Sequence, residues 1–190
     1  MKHLIIEGLT GAGKSSVIAE LRNILPAEQW QIIYEDETLG ELLSELEDKK
    51  TTNYEKCYRL RQVLATMDRN ANHSYLLERF HPSYYALIPD WELFKEMDSL
   101  LAEKNFVLVM LHYNERLFEE RAMRHFDRKD DGFNNAVAYW GSKEKAFEAY
   151  KKSQDNRLAC LELTSMNYLK IDTSGREWPK YAQEIIKHIL

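Results

Sequence analysis

Eight residues near the N-terminus constrain this 190-residue chain more than any other feature. Residues 8–15 read Gly-Leu-Thr-Gly-Ala-Gly-Lys-Ser and satisfy the pattern G-x-x-x-x-G-K-[ST]. Glycines let the backbone turn tightly and bring its N–H groups against phosphate oxygens, and a following helix offers its positive N-terminal end. Lys14 would reach the β- and γ-phosphates, and the Ser15 hydroxyl would bind Mg²⁺. The motif predicts a nucleoside-triphosphate site whose candidate phosphate-binding residues are Gly8, Gly11, Ala12, Gly13, Lys14, Ser15 and Ser16.

The surrounding sequence supplies the context that such a loop requires. A strand is predicted over 2–7, before the loop, and a helix over 14–25, after it. Further strands are predicted at 30–34, 74–77, 106–111 and 168–171, and helical patterns at 38–48, 52–70, 91–103, 115–125, 143–162 and 181–189. Thr38 and Glu41 have the spacing of a capping box at a helix start. Strands that alternate with helices, one of them apolar on both faces, indicate an α/β fold with a parallel sheet covered on both sides.

Composition excludes several classes of protein. Hydrophobic residues make up 44% of the chain and charged residues 30%, which is typical of a globular protein. The net charge of −5 disfavours a broad nucleic-acid surface. The longest apolar run, 106–111, is too short to span a membrane, and the N-terminus lacks the features of a signal peptide. Cys57 and Cys160 form no metal or disulfide pattern. We expect a single cytoplasmic domain over 1–190 that binds neither nucleic acid nor membrane.

Other classes of phosphate-loop protein fit less well. A GTPase would need Asn-Lys-x-Asp and a D-x-x-G switch after the third strand. Asp172–Gly175 fits D-x-x-G but follows the last strand, and Leu169 stands where the guanine motif requires Asn or Thr. A remodelling ATPase or helicase is usually longer and carries an apolar-Asp-Glu segment, whereas the third strand here ends in Leu-Leu-Glu-Arg-Phe. These differences favour a small-molecule kinase.

The sequence resembles the thymidylate kinases and deoxynucleoside kinases. Residues 6–16, Ile-Glu-Gly-Leu-Thr-Gly-Ala-Gly-Lys-Ser-Ser, look like the opening of both. Glu78-Arg79 is similar to the Glu-Arg-Ser motif of deoxynucleoside kinases and the Asp-Arg-Tyr motif of thymidylate kinases. Residues 38–43 are similar to the segment after strand two of thymidylate kinases, and residues 168–173 to the last strand and adenine-side loop of both families.

The resemblance implies a three-layer fold with a five-stranded parallel sheet and a helical lid at about 114–135. It also implies an ATP donor, Mg²⁺, phosphoryl transfer to a nucleoside or nucleoside monophosphate, and a homodimer. Two positions depart from the thymidylate kinases. Those enzymes often carry an acid where this chain has Thr10, and commonly Arg-Glu-Pro where it has Glu35-Asp36-Glu37. An acid at the end of strand two is closer to the deoxynucleoside kinases, whose Glu there serves as base toward a sugar hydroxyl.

Several residues outside the loop are candidates for the transfer chemistry, which needs positive charge on the phosphoryl oxygens and precise positioning. Glu35 would act as general base, Glu78 would hold the metal through water, and Arg79 would clamp the acceptor. Arg121, Arg124 and Arg128 fall on one face of a predicted helix, as in a lid that contacts the transferring group. Asp172 and Thr173 would lie on the adenine side. The candidate catalytic residues are thus Lys14, Glu35, Arg79, Arg121 and Arg124, and the candidate metal ligands are Ser15 and Glu78.

Alternatives remain open at this stage. The arginine row also fits a solvated face paired with nearby acids, and the acids at 35–37 also fit the start of a helix, where the dipole favours them. An acceptor pocket has six candidate lining residues: Arg59, Arg61, Gln62, Phe80, Tyr84 and Tyr139. Trp91 and Trp140 are interpreted as packing residues, and His81 as a turn residue. A kinase for a non-nucleotide hydroxyl and a nucleotide-binding regulatory module are the other functional hypotheses.

Overall fold

The computed structural model describes residues 2–38, 53–68, 72–124 and 139–189. Most of the helix predicted at 38–48 lies outside these ranges, and so does its capping-box partner Glu41. The predicted lid at 114–135 is described only as far as residue 124, so that Arg128 is also outside the described residues.

The five predicted strands form one parallel sheet. They are β1 (His3–Gly8), β2 (Trp30–Ile33), β3 (Ser74–Glu78), β4 (Phe106–His112) and β5 (Asn167–Asp172). Their spatial order is β2-β3-β1-β4-β5, and every neighbouring pair is parallel. The prediction of a five-stranded parallel sheet is confirmed. Because all strands run the same way, the loop after β1 and the residues that follow β2 and β3 meet at one edge of the sheet.

Eight described helices cover the sheet. They are α1 (Lys14–Ile24), α2 (Glu35–Thr38), α3 (Asn53–Asp68), α4 (His81–Leu87), α5 (Lys95–Glu103), α6 (Phe118–Ala122), α7 (Lys143–Ala159) and α8 (Trp178–Ile189). Single turns of 3-10 helix cover Trp91–Leu93, Glu115–Leu117 and Cys160–Glu162. Within the part of the chain that is described, no helix is long and apolar enough to cross a bilayer.

The sheet separates two hydrophobic core clusters, and this produces the three layers. Alternate residues of β1 point to opposite faces, so Leu4 and Ile6 join one cluster and Ile5 joins the other. The first cluster packs β1 and β4 against α1 and α8, and the second packs the sheet against α3, α4 and α5. Trp140 packs against the first cluster and Trp91 against the second, which confirms their interpretation as packing residues.

The helix α4 was not predicted from the sequence, and its first residue, His81, is not the turn residue that the sequence suggested. His81 is completely buried, and its Nε2 lies 3.2 Å from Asp98 Oδ1. Pro82 stands in the first turn of α4. Proline is favoured there because the first N–H groups of a helix have no intrahelical partner. His81-Pro82 therefore marks the start of a helix and not a turn.

The helix α2 begins three residues before the predicted cap. Thr38 is already inside it, and its hydroxyl donates to the backbone oxygen of Glu78 at 2.7 Å. Acids at 35–37 form the first turn, where they interact favourably with the helix dipole. The capping box stays a prediction because Glu41 lies outside the described residues, and the described bond of Thr38 fastens α2 to the end of β3.

Asp98 of α5 joins three segments around one buried carboxylate. Besides the His81 contact, it accepts hydrogen bonds from Thr164 Oγ1 at 2.5 Å, Ser165 N at 2.6 Å and Ser165 Oγ at 2.7 Å. Burial opposes ionisation, but the hydrogen bonds from His81, Thr164 and Ser165 outweigh it and lower the pKa of Asp98 below 3.8. The ionised form therefore stabilises the folded state.

Replacement Asp98→Asn is expected to lower the free energy of unfolding by about 2–4 kcal/mol at neutral pH, because it removes a charge held by several donors. The difference from wild type is full above about pH 4 and shrinks as the pH falls through the lowered pKa, where Asp98 itself becomes neutral. Urea unfolding at several pH values measures this. Asp155→Asn, at an exposed position of α7, is the control, and an equal loss in both variants would contradict the prediction.

Candidate functional site

The phosphate loop, residues 8–15, runs from the end of β1 into α1. Gly11 and Gly13 have φ values of +80° and +89°, a region that favours glycine. A Cβ at Gly11 would lie 2.6 Å from the backbone oxygen of Arg121, and one at Gly13 would overlap the ring of Trp178. Each glycine is therefore required for two reasons: its backbone has a positive φ, and a neighbouring helix leaves no room for a side chain. That helix is α6 at Gly11 and α8 at Gly13. The N-terminus of α1 opens directly from this loop.

Lys14 is buried and folds back on the loop. Its Nζ donates to the backbone oxygen of Gly8 at 2.9 Å and to that of Leu9 at 3.4 Å. Burial, together with the positive charge of Arg79, lowers the pKa of Lys14 to about 7, while Glu35 opposes the shift. The lysine is thus held close to its titration point, where an arriving polyphosphate would favour the charged form.

Nucleotide binding is expected to take up a proton at Lys14. At about pH 8 the lysine is mostly neutral when its pKa is near 7, and the phosphates restore the charge, so uptake approaches one proton. The affinity for nucleotide then falls as the pH rises above about 7, because a growing fraction of Lys14 has to gain a proton on binding. Calorimetric titration with ATP in buffers of different ionisation enthalpy measures the uptake, and Lys14→Met removes it. Identical heats in every buffer would contradict the prediction.

Ser15 and Glu78 lie together at the mouth of the loop. The Ser15 hydroxyl donates to Glu78 Oε1 at 3.5 Å. Mg²⁺ prefers oxygen ligands and is usually held by one or two carboxylates together with waters and phosphates. A hydroxyl and a carboxylate at this distance fit that donor set. Among the described residues, no group of three or more His, Cys, Asp or Glu could hold a metal.

Glu35 and Arg79 form an ion pair across the ends of β2 and β3. Glu35 Oε2 lies 2.8 Å from Arg79 Nε. Arg79 has a φ of +60°, uncommon for a residue with a side chain, and such backbone conformations often occur at functional sites. The Thr38 hydroxyl, bound to the Glu78 backbone oxygen, holds α2 and therefore Glu35 beside Arg79. The structure thus brings together Lys14, Ser15, Glu35, Glu78 and Arg79.

Arg121 does not point outward from a row of arginines. It is 3% exposed, and its guanidinium donates to the backbone oxygens of Thr173 at 3.0 Å and Ser174 at 2.9 Å. The same group lies over the ring of Tyr113. The Thr173 hydroxyl donates to the backbone oxygen of His112 at 2.9 Å, and Asp172 Oδ1 accepts from Ser174 N at 2.8 Å. Arg121 therefore fastens the loop after β5.

The predicted arginine face is interrupted because α6 ends at Ala122. Arg121 is buried together with Phe118 and Ala122, whereas Arg124 is exposed. A five-residue helix followed by a break does not keep Arg121 and Arg124 on one helix face, and Arg128 lies outside the described residues. The prediction that these arginines share a helix face is corrected for 121 and 124.

Most candidates for lining an acceptor pocket lie elsewhere. Phe80 and Tyr84 are fully buried in the second core cluster, so their side chains pack against the protein. Arg61 pairs with Glu96 at 2.5 Å on the surface between α3 and α5. Gln62 and Tyr139 are exposed, and the side chain of Arg59 lies outside the described residues. Phe80 and Tyr84 followed the more common outcome for apolar side chains at helical spacing, which is core packing.

Three further residues of the site were missed by the sequence analysis. Glu7, Ser83 and Arg157 form a buried polar cluster beneath the phosphate loop, within the same group of charges that includes Arg79. Glu7 carried a signal, because a carboxylate at the end of a fully buried strand requires partners. Ser83 stood in the helix that the sequence did not predict, and no residue near Arg157 in sequence indicates its contacts with Glu7 and Ser83.

An open hollow of about 310 Å³ lies beside the loop that Arg121 fastens. It is lined by residues of β5, this loop and α8, among them Lys170, Asp172, Ser174 and Tyr181. A larger hollow of about 450 Å³ lies between α3 and α5, away from the phosphate loop. The chemistry identified above assigns the site to the carboxyl edge of the sheet, where ligands bind in open α/β sheets.

No protein-family profile matches the chain, and no curated protein matches it. Among solved structures, the YorR protein from Bacillus subtilis, in complex with phosphorylated GDP, is similar with a TM-score of 0.64. The match has 16% identity and covers 99% of this chain and 95% of that one. A deoxyadenosine kinase from M. mycoides, with the products dCMP and dCDP bound, is similar with a TM-score of 0.57. This match has 14% identity and covers 100% of this chain and 98% of that one.

The chain has the fold of the P-loop nucleoside and nucleotide kinases. The similarity extends over nearly the whole length of both neighbours. At these levels of identity the similarity establishes the architecture, and the chemistry has to be argued from the side chains.

Proposed function

We propose that the chain transfers the γ-phosphoryl group of ATP, with Mg²⁺, to a hydroxyl of a small-molecule acceptor, and that the acceptor is a nucleoside. The observation that carries this proposal is the Glu35–Arg79 ion pair of 2.8 Å, at the same edge of the sheet as the 3.5 Å contact between Ser15 and Glu78. The Ser15–Glu78 pair suits a metal-bound triphosphate. The Glu35–Arg79 pair suits an acceptor hydroxyl.

On the donor side, the loop amides and the N-terminus of α1 bind the phosphates. Lys14 leaves the backbone oxygens of Gly8 and Leu9 and contacts the β- and γ-phosphate oxygens. Ser15 and Glu78 would hold Mg²⁺ with a hydroxyl and a carboxylate oxygen. Mg²⁺, when bound, neutralises charge on the phosphates. Phosphoryl transfer depends mainly on such positioning and charge stabilisation, and these residues provide both.

On the acceptor side, Glu35 accepts the proton of the attacking hydroxyl as general base. Arg79 contacts the acceptor beside its attacking hydroxyl and holds Glu35 in place through the ion pair. Acids at 35–37 place three negative charges in the short helix that carries the proposed general base. This charge disfavours a nucleoside monophosphate, which carries up to two negative charges of its own, and favours a neutral hydroxyl.

The residues on the base side receive positioning roles. Arg121 holds the backbone of Thr173 and Ser174, so that this loop forms a fixed wall for the donor base. Asp172 and Thr173 act through backbone geometry, since their side chains already bind Ser174 and His112. Arg124, which is exposed, is the residue proposed to contact the transferring phosphoryl group from outside the loop.

The direct test is an assay of ADP release by the purified chain with ATP and Mg²⁺. Acceptors are screened in three groups: nucleosides, nucleoside monophosphates and sugar-like alcohols. Turnover that depends on a nucleoside supports the proposal. Turnover only with monophosphates contradicts the argument from the charge of Glu35, and turnover only with other alcohols supports a non-nucleotide kinase. Nucleotide binding without turnover supports a regulatory module.

A further inference from the structure

A completely buried carboxylate, Glu7, lies beneath the phosphate loop. Its Oε1 accepts from the backbone N–H groups of Phe80 at 2.8 Å and Ser83 at 3.2 Å. Its Oε2 accepts from the Ser83 hydroxyl at 3.0 Å and from Gly8 N at 3.3 Å. Glu7 therefore connects the first residue of the phosphate loop with the turn that carries Arg79.

The Ser83 hydroxyl is shared by three charged side chains. It donates to Glu7 and accepts from Arg79 Nη1 and from Arg157 Nη2, each at 3.4 Å. A hydroxyl offers one proton and two lone pairs, so these three contacts use all of its capacity. Arg157 is 6% exposed and also donates to the Ser153 hydroxyl of its own helix. Arg79 and Arg157 thus meet at one atom.

Arg157 supplies the positive charge that balances Glu7. Its Nε lies 3.7 Å from Glu7 Oε2, close enough for charge interaction but too far for a hydrogen bond. Burial lowers the pKa of Arg157 to about 10, with Glu7 opposing the shift, so the group stays charged at neutral pH. With Glu7 balanced in this way, the Arg79 guanidinium pairs with Glu35 instead.

The helix that carries Arg157 spans from one side of the site to the other. Near its start, Ala146 belongs to the first core cluster, which also contains Phe118 of α6. At its end, Leu158 packs against the second cluster. Asn156 Nδ2 donates to the backbone oxygen of Ala86 at 2.9 Å, which fastens this end of α7 to α4. A shift of α7 would therefore move Ser83 of α4, because Asn156 and Arg157 of α7 both contact α4.

We infer that Arg157 is a positioning residue for Arg79, acting through Ser83 and Glu7. The inference rests on the proposed function, in which Arg79 holds the acceptor. Loss of Arg157 leaves the buried Glu7 charge uncompensated, and Arg79 is the guanidinium already joined to Glu7 through Ser83. Arg79 then moves toward Glu7 and away from Glu35, so the acceptor side of the site is misplaced while the phosphate loop is retained.

The test compares Arg157→Met, Arg157→Lys, Glu7→Gln and the double variant Glu7→Gln/Arg157→Met. The methionine variant is expected to lower kcat about tenfold or more, with the KM for ATP changed by less than about threefold. Lysine preserves the charge and retains more of the activity. The double variant recovers most of the kcat because it removes both charges together, and such non-additivity is the signature of direct coupling.

Lys152→Met is the matched control, since it removes a positive charge from an exposed position of the same helix, and kcat is expected to stay at the wild-type level. Thermal unfolding reports whether each variant is folded at the assay temperature, and Arg157→Gln replaces the methionine variant if that one is not. Crystal structures of the Arg157 variants give the position of Arg79 directly.

Two results would overturn the inference. One is a double variant whose loss of kcat equals the product of the two single losses. The other is a crystal structure of Arg157→Met in which Arg79 keeps its contact with Glu35. A wild-type chain that phosphorylates none of the acceptors overturns the proposed function instead, and the crystal structures then still test whether Arg157 positions Arg79.

Discussion

Replacement of Lys14 by methionine is expected to lower kcat/KM for ATP by about a thousandfold, because removal of one oriented donor to developing charge typically costs about 10²–10³ and here a full positive charge is lost. The fold should be retained, since Lys14 contributes only its bonds to the backbone oxygens of Gly8 and Leu9. Loss of these bonds lowers the free energy of unfolding by no more than about 1 kcal/mol.

The stability of this variant also has a distinctive pH dependence. The pKa of Lys14 is about 7 in the folded chain and 10.5 when exposed, so the unfolded chain binds more protons between these values. The contribution of Lys14 to stability therefore rises as the pH increases from 7 toward 10.5. Methionine lacks this contribution, and unfolding midpoints at about pH 7 and pH 9 should differ less in the variant.

Activity assays and thermal unfolding of Lys14→Met check both expectations. Lys151→Met is the control, because Lys151 is exposed and pairs with Glu115 on the surface of α7. Full transfer activity in Lys14→Met would rule out the assignment of the phosphate loop as the donor site. Loss of the folded state would instead show that the loop needs the lysine for its structure.

Replacement of Glu35 by glutamine is expected to lower kcat about 10²–10⁴-fold, which is the usual contribution of a positioned general base. Binding of ATP should change little, because the phosphate contacts come from the loop and α1. The amide keeps the size of the side chain, and the bond from the Thr38 hydroxyl to the Glu78 backbone oxygen is unaffected, so the ends of β2 and β3 remain in place. Steady-state kinetics with the identified acceptor, and calorimetric binding of ATP, measure the two effects separately.

Glu37→Gln is the matched control for this prediction. Glu37 belongs to the same short helix and has the same charge, but its Oε1 accepts from Tyr34 N at 3.2 Å instead of pairing with Arg79. Its kcat should stay within about threefold of wild type, as for a surface substitution. Equal losses in both variants would indicate that the net charge of α2 matters and that Glu35 is not the base.

Sequence patterns predicted the elements whose signals are local. The strand predicted at 106–111 is apolar on both faces because it lies inside the sheet. The observed strand is one residue longer and ends at His112. The helix α4 was missed because Pro82 has the same short-range signature in a turn and in the first turn of a helix. Arg121 was assigned to an outward face because the predicted helix was too long, whereas α6 ends at Ala122.

The sequence by itself determined the phosphate loop and the alternation of strands with helices. Both depend on neighbours a few residues apart: glycine φ angles, helix starts and the polarity of successive side chains. Only the tertiary structure decided that Glu35 pairs with Arg79, and that Arg79 and Arg157 share the hydroxyl of Ser83. These residues belong to separate elements, and their contacts exist because the order β2-β3-β1-β4-β5 brings the ends of β1, β2 and β3 together. No pattern within one segment encodes that order, because it is fixed by how all the apolar faces pack at once.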